Sequence, residues 1–187
     1  THSKTLVVGI SGGLDSTLAL LVCANTMKLL DRPASDILAV TMPGFGTTDR
    51  TYNNAVNLCR KLGTTLREIS ITDACREHFR SIGHDEKTHD VTYENSQARE
   101  RTQILMDLAN KENGIVVGTG DLSEIAMGWC TYNGDHISMY AVNCSIPKTL
   151  IRYLIAYVGE HSEEEVRTIL HDVIQTPVSP DLLPRSE

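Results

Sequence analysis

The stretch Val7–Leu20, VVGISGGLDSTLAL, decides how this sequence is read. Two glycines, an aspartate and two serines stand between a strand-like run, Leu6–Ile10, and a helix-like run in which Leu14, Leu18 and Leu21 recur with Val22 at helical spacing. So abrupt a junction places backbone N–H groups at a helix N-terminus. Those donors lack partners inside the helix, and the helix dipole turns its positive end toward them. The junction is therefore a ready anion site, and phosphate is the anion it suits.

The hexapeptide Ser11–Ser16, SGGLDS, gives each residue type a reason. Gly12 and Gly13 are expected to allow positive φ and to let phosphate oxygens approach the amides. Ser11 and Ser16 offer hydroxyl donors, while Gly9, Ile10 and Leu14 complete the phosphate-binding run. Asp15 would repel a phosphate unless a cation intervened, so it implies Mg²⁺. A Walker A loop is excluded because its lysine is missing, and a G-x-G-x-x-G fingerprint because the glycine spacing is wrong. The alternative is a tight turn in which Asp15 or Ser16 only caps the helix. It leaves two glycines and two serines without a purpose.

Outward from this point, strands and helices alternate. The sequence predicts strands at Asp36–Met42, Thr65–Ile71 and Gly114–Thr119, and helices at about 51–62, 73–82, 94–110, 147–158 and 162–175. Residues 83–93, GHDEKTHDVTY, read as an exposed loop. Ser162-Glu163-Glu164-Glu165 carries a capping-box pattern at the start of the last helix. Near-continuous apolar strands separated by helices imply an α/β fold, a parallel sheet with helices on both faces. Ligands in such sheets bind beyond the carboxyl ends of the strands, so the loops after Ile10, Met42 and Thr119 are expected to share a site.

The bulk properties narrow the function classes. A chain of 187 residues with 41% apolar and 22% charged residues fits one globular domain. Its formal charge of −7 argues against a nucleic-acid partner. No run reaches the roughly 20 apolar residues of a membrane span, and the start has no secretory pattern. Five cysteines without a C-x-x-C pair suit reduced thiols and a cytoplasmic setting. The start at Thr1 and the loop-like end suggest a domain cut from a longer protein and truncated at its C-terminus.

In the second half, Thr119 ends a strand beside the phosphate loop, so its hydroxyl can face a nucleotide. Glu124, in a helix expected from about Leu122, offers a second carboxylate to a metal held by Asp15; the alternative is a solvated first-turn glutamate. Lys148 opens a helix, a poor dipole position for a cation unless it reaches a phosphate. Asn95, Arg99 and Gln103 share a helical face that suits a carboxylate or phosphate, although Arg99 and Arg101 beside Glu100 also read as solvated charges. Trp129 and Tyr132 offer flat surfaces for a stacked ring, with a core role for Trp129 as the alternative.

The SGGLDS loop resembles the pyrophosphate-binding loop of the N-type ATP pyrophosphatases, which cleave ATP between its α and β phosphates. Residues 116–143, VVGTGDLSEIAMGWCTYNGDHISMYAVN, with YENSQARERTQIL at 93–105 and IPKTLIRYL at 146–154, resemble the glutamine-dependent NAD synthetases over nearly the entire chain. The resemblance implies an adenine nucleotide alpha-hydrolase-like fold and ATP-dependent amidation of deamido-NAD to NAD through an adenylated nicotinate carboxylate. It assigns Lys148 and Ser179 to ATP and Glu124 to metal or substrate. To deamido-NAD it assigns Asn95 and the segment Trp129, Cys130, Thr131 and Tyr132, with Arg99 on the same face as Asn95. Ammonia-dependent members carry T-K-Y-G-D where this chain has Cys130–Asp135, CTYNGD, which sides with the glutamine-dependent branch. That branch implies a glutaminase domain elsewhere in the parent chain, a homodimer through this domain and a larger homo-oligomer of the parent. Neither that glutaminase domain nor the C-terminal substrate lysine of that branch has a counterpart in the 187 residues, so glutaminase activity is expected to be absent and the acceptor site incomplete. Three other readings stay open at this point: another ATP pyrophosphatase such as a GMP synthetase domain, a non-catalytic nucleotide-binding module, and a domain that folds and dimerises without turnover.

Overall fold

The computed structural model describes residues 2–177 together with 182 and 183. Five parallel strands form one sheet in the order β3-β2-β1-β4-β5: β1 Thr5–Gly9, β2 Ile37–Thr41, β3 Thr65–Glu68, β4 Gly114–Gly118 and β5 Tyr140–Ala141. Adjacent strand residues face opposite ways, and the sequence supplies apolar side chains for both faces. Val8, Ile37, Ala39 and Val117 pack against α1 Leu14–Leu29, α2 Asp49–Leu62, α6 Lys148–Glu160 and α7 Glu164–Gln175. Val7, Leu38, Val40 and Val116 pack on the other side against α3 Thr72–Ile82 and α4 Val91–Lys111. The expected parallel sheet with helices on both faces is what the chain forms.

Helix α1 explains its own composition. It lies between the sheet, through β1 and β2, and the outer helices α6 and α7. Leu14, Ser16 to Leu21, Cys23 and Met27 are all buried. A helix apolar on nearly every side is one enclosed on nearly every side. Among the described residues no helix is long and apolar enough to cross a membrane.

The chain runs β1, β2, β3 toward one edge, then returns to place β4 on the other side of β1. The strand order therefore reverses between β1 and β4, and the crevice beyond their carboxyl ends is where ligands of open parallel sheets bind.

Two expectations need correction, and one short strand is new. Helix α4 starts at Val91, inside the segment read as loop, because the Asp90 carboxylate accepts the N–H groups of Thr92 and Tyr93 at 2.9 and 3.0 Å. Its first turn buries Tyr93 among Phe45, Phe79 and His89. The capping box expected at Ser162 does not form: Ser162 Oγ donates to Val158 O at 2.7 Å and so belongs to the end of α6, and the N-cap of α7 is Glu163 with no side-chain bond. Strand β5 went unforeseen, since two residues carry no period.

The N–H bonds from Tyr93 and Thr92, with the nearby His84, hold the Asp90 carboxyl below the ordinary aspartate value of 3.8. A carboxyl depressed in the folded state stabilises above 3.8 and loses that contribution as pH falls through its folded value. Asp90→Ala is thus expected to lower the urea midpoint at pH 7. Denaturation curves repeated toward pH 3 should show the deficit shrinking.

Candidate active site

Immediately after β1, Ile10 N still donates to Val40 O at 2.8 Å, and then the chain turns. Gly12 takes φ +83°, and a Cβ there would be driven into the carbonyl oxygen of Thr51 at the start of α2. Only glycine fits. Gly13, by contrast, is extended at φ −84°, so the positive φ expected of it is absent. It is the N-cap of α1 and supplies no side-chain bond, and neither Asp15 nor Ser16 serves as cap. Ser11 Oγ accepts from Gly13 N at 3.2 Å, lies 3.2 Å from Ser16 Oγ, and Ser16 Oγ in turn accepts from Ser11 N at 3.3 Å. The two hydroxyls shape the loop around the first turn of α1. The Leu14 side chain is part of the core, so only its backbone faces the loop.

Beyond β4 the chain passes Thr119 and enters α5, Leu122–Met127, through a reciprocal cap. Glu124 N donates to Asp121 Oδ1 at 2.8 Å, and Asp121 N donates to Glu124 Oε2 at 3.3 Å. The start of α6 is stitched to the same place, with Lys148 N donating to Ser123 Oγ at 3.1 Å and Leu122 N to Ile146 O at 3.1 Å. Three helix N-termini, those of α1, α5 and α6, thus meet beside the β1–β4 crevice. Their positive ends favour anions there.

Into this meeting point come four charges. Lys148 Nζ lies 2.6 Å from Asp15 Oδ2, 2.9 Å from Glu124 Oε1 and 3.0 Å from Asp121 Oδ2. Burial pushes the Asp15 carboxyl up to about 6, with Lys148 pulling against the rise and the Glu124 and Asp121 charges adding to it. Burial works the same way on Asp121, but the N–H of Glu124 and the Lys148 ammonium outweigh it and hold that carboxyl below its usual range. Burial would lower Lys148; its bonds to Asp15, Glu124 and Asp121 keep it well above the ordinary lysine value. Glu124 is therefore no solvated first-turn residue, and the dipole-opposed Lys148 has three carboxylates as compensation.

Asn143, fully buried, fixes the crevice from behind. Its Nδ2 donates to Asp15 O at 2.9 Å and to Thr119 O at 3.1 Å, tying the Ser11–Ser16 loop to the end of β4. In front opens a cleft of about 350 Å³ lined by Gly9, Ile10, Ser11, Asp15, Ser16, Thr119 and Glu124, with Met42, Arg101 and Leu105 on its far side. Arg101 is not a solvated charge: its Nε donates to Met42 O at 3.2 Å.

The residues expected at the acceptor form a second group. Thr131 Oγ1 donates to Asn95 Oδ1 at 2.8 Å, and Arg99 Nε donates to Tyr132 O at 3.2 Å, so α4 holds the loop after α5. Thr131 is that loop's hub: its N–H donates to Asp135 Oδ1 and its carbonyl oxygen lies 2.8 Å from His136 Nδ1. Trp129 and Tyr132 are exposed, which removes the core role for Trp129. Cys130, also exposed, lines a small cavity with Glu124, Asp135 and His136, and Asp135 and Glu124 border the main cleft as well. Ser179 lies outside the described residues.

A family profile described as NAD synthase matches residues 1–186. The chain belongs to the NAD synthase family. A glutamine-dependent NAD(+) synthetase of Mycobacterium leprae is 50% identical over 96% of this chain and 27% of its own. The chain thus spans about a quarter of the length of that relative. The solved glutamine-dependent NAD+ synthetase of Acinetobacter baumannii, in complex with ADP, superposes with TM-score 0.82 at 30% identity, over 90% of this chain and 32% of that one. The NMN synthetase of Francisella tularensis gives 0.79 at 25% identity, over 97% and 68%. The adenine nucleotide alpha-hydrolase-like fold of the family is the one found here.

Two residues of the site went unread in the sequence. Asp121 had a signal, the D-x-x-E of a capping box ahead of α5. Asn143, in an unremarkable AVNC, had none.

The raised Asp15 carboxyl also makes a testable statement about stability. A carboxyl whose folded value, about 6, exceeds its ordinary 3.8 costs the fold nothing below 3.8 and penalises it as pH rises through 6. Asp15→Asn is expected to raise the melting temperature at pH 8, and melts taken between pH 8 and pH 4 should show the gain disappear.

Proposed function

We propose that this domain performs the synthetase reaction of a glutamine-dependent NAD synthetase. Deamido-NAD offers its nicotinate carboxylate to the α-phosphorus of ATP, pyrophosphate leaves, and ammonia displaces AMP from the resulting acyl adenylate to give NAD. One observation carries the reading: the Lys148–carboxylate cluster lies against the Ser11–Ser16 loop at the sheet's switch point. The family match and the ADP in the Acinetobacter baumannii relative support a nucleotide in that cleft.

In this reading the backbone N–H groups at the start of α1 receive the departing pyrophosphate, with Ser11, Ser16 and Thr119 as hydroxyl donors. The apolar side of the cleft, around Met42 and Leu105, takes the purine. Lys148 meets phosphate charge. Asn95 and Arg99 hold the Trp129–Tyr132 loop, whose exposed rings bind the pyridine nucleotide. No side chain acts as a nucleophile, so the rate comes from positioning and charge neutralisation.

Mg²⁺ fits the carboxylates. Asp15 Oδ1 is buried without a hydrogen-bond donor, and Asp15, Asp121 and Glu124 each bring an oxygen within 4.8 Å of the others. Carboxylate oxygens are the ligands this hard cation prefers. Bound there, it would neutralise charge on the phosphates as a Lewis acid. In a longer parent chain a glutaminase domain would supply the ammonia, and the domain would pair with a second copy. Five free cysteines suit a reducing, cytoplasmic setting.

Calorimetry tests the assignment. Deamido-NAD, xanthosine monophosphate and nicotinate mononucleotide are titrated separately into the protein with Mg²⁺ and a non-hydrolysable ATP analogue. Deamido-NAD is expected to bind; xanthosine monophosphate binding in its place would make the domain a GMP synthetase, and preference for nicotinate mononucleotide would make it an NMN synthetase. Asp121→Asn should weaken Mg²⁺-dependent binding of the analogue roughly tenfold to a hundredfold, the scale of a lost charged contact of about 1.5–3 kcal/mol. Binding indifferent to Mg²⁺ and to Asp121 would instead mark a nucleotide-sensing module.

A further inference from the structure

Lys148 stands where a cation is wanted. Its Nζ is within 3.0 Å of an oxygen from each of Asp15, Asp121 and Glu124, the three residues whose carboxylates are close enough to share one metal ion. A magnesium ion sits at about 2.0–2.1 Å from its oxygen ligands. An ion drawn among these oxygens would therefore share the space of the ammonium and repel it.

Two further features separate this contact from a permanent structural tie. The Lys148 side chain is 36% exposed and runs along a flexible stem, whereas its backbone is held separately by the bond to Ser123 Oγ. The ammonium can leave without moving α6. The cluster is also under-neutralised, with three carboxylates to one ammonium and Asp15 Oδ1 buried without a donor.

We propose that Lys148 is an exchangeable internal cation that makes metal and polyphosphate binding depend on each other. With both ligands away, it fills the carboxylate group. A metal ion that enters displaces it, and the freed ammonium has the polyphosphate on the Ser11–Ser16 loop as its new partner. Metal alone strands the ammonium; polyphosphate alone finds it tied to the carboxylates. Each ligand removes the other's penalty, and such coupling is reciprocal. The inference rests on the reading of Asp15, Asp121 and Glu124 as the metal-holding group.

Mn²⁺, whose free form is counted by electron paramagnetic resonance, serves as the metal probe with no nucleotide present. Lys148→Met, close in length and uncharged, is expected to bind Mn²⁺ about tenfold more tightly than the parent, within the usual range of coupling between sites. Lys148→Arg keeps a cation and is expected to bind like the parent. A measurement on the unaltered protein covers the case in which Lys148→Met fails to fold. Acetylation of Lys148 by limiting acetic anhydride, read by mass spectrometry, should rise when Mg²⁺ is added alone and fall again with inorganic pyrophosphate. Mn²⁺ binding to Lys148→Met that is equal to or weaker than the parent's, or labelling that Mg²⁺ leaves unchanged while Mn²⁺ binds, would overturn the exchange and spare the metal assignment. Absence of Mn²⁺ binding in all three proteins would overturn both.

Discussion

Three carboxylates share one partly buried crevice, and the Lys148 ammonium among them is what makes that arrangement tolerable. Without that ammonium the three carboxylates would repel one another with no cation between them. That repulsion would fall at a junction of elements far apart in sequence. Asp15 comes from the first turn of α1, Asp121 and Glu124 from the start of α5, and Lys148 from the first residue of α6. The same α6 carries Ile151 and Ile155 into the core. Site and core are therefore coupled through one helix, whose first residue joins the carboxylates and whose later turns serve the packing.

The crevice works by tension between burial and charge. The sheet reversal between β1 and β4 leaves a gap, three helix N-termini turn their positive ends toward it, and carboxylates then occupy much of the favourable potential. Asp15 shows the price most clearly, since its carboxyl is raised to about 6 despite an ammonium 2.6 Å away. A fold selected for stability alone would place an apolar side chain there. In the proposed function that acid serves a site that takes a cation together with a highly charged anion.

Much of this was legible in the chain. β1 and α1 announce themselves because a β-branched run and a leucine repeat abut across SGGLDS, and the tight loop between them follows from that abutment. Glu124 and Lys148 were legible as charges in unusual places. What escaped was decided by tertiary contact. Tyr93 looks like loop until Phe45 and Phe79 are seen around it, and β5 is paired only because β4 offers an open edge. The capping pattern at Ser162 was read too literally, since its hydroxyl finds the end of the preceding helix nearer than the start of the next. Asn143 illustrates the limit best, because its two acceptors lie 128 and 24 residues away and no local pattern records them.

The enclosure of α1 has a consequence for affinity. The amides that would face a phosphate are mounted on a helix buried on nearly every side, with Asn143 gripping its first turn and Thr51 pressed against Gly12. A loop that had to be ordered by its ligand would forfeit part of the binding energy as lost conformational entropy. A loop mounted on a helix packed into the core needs less ordering, so in the proposed function the core's close packing would be converted into tighter holding of an anion that never touches it.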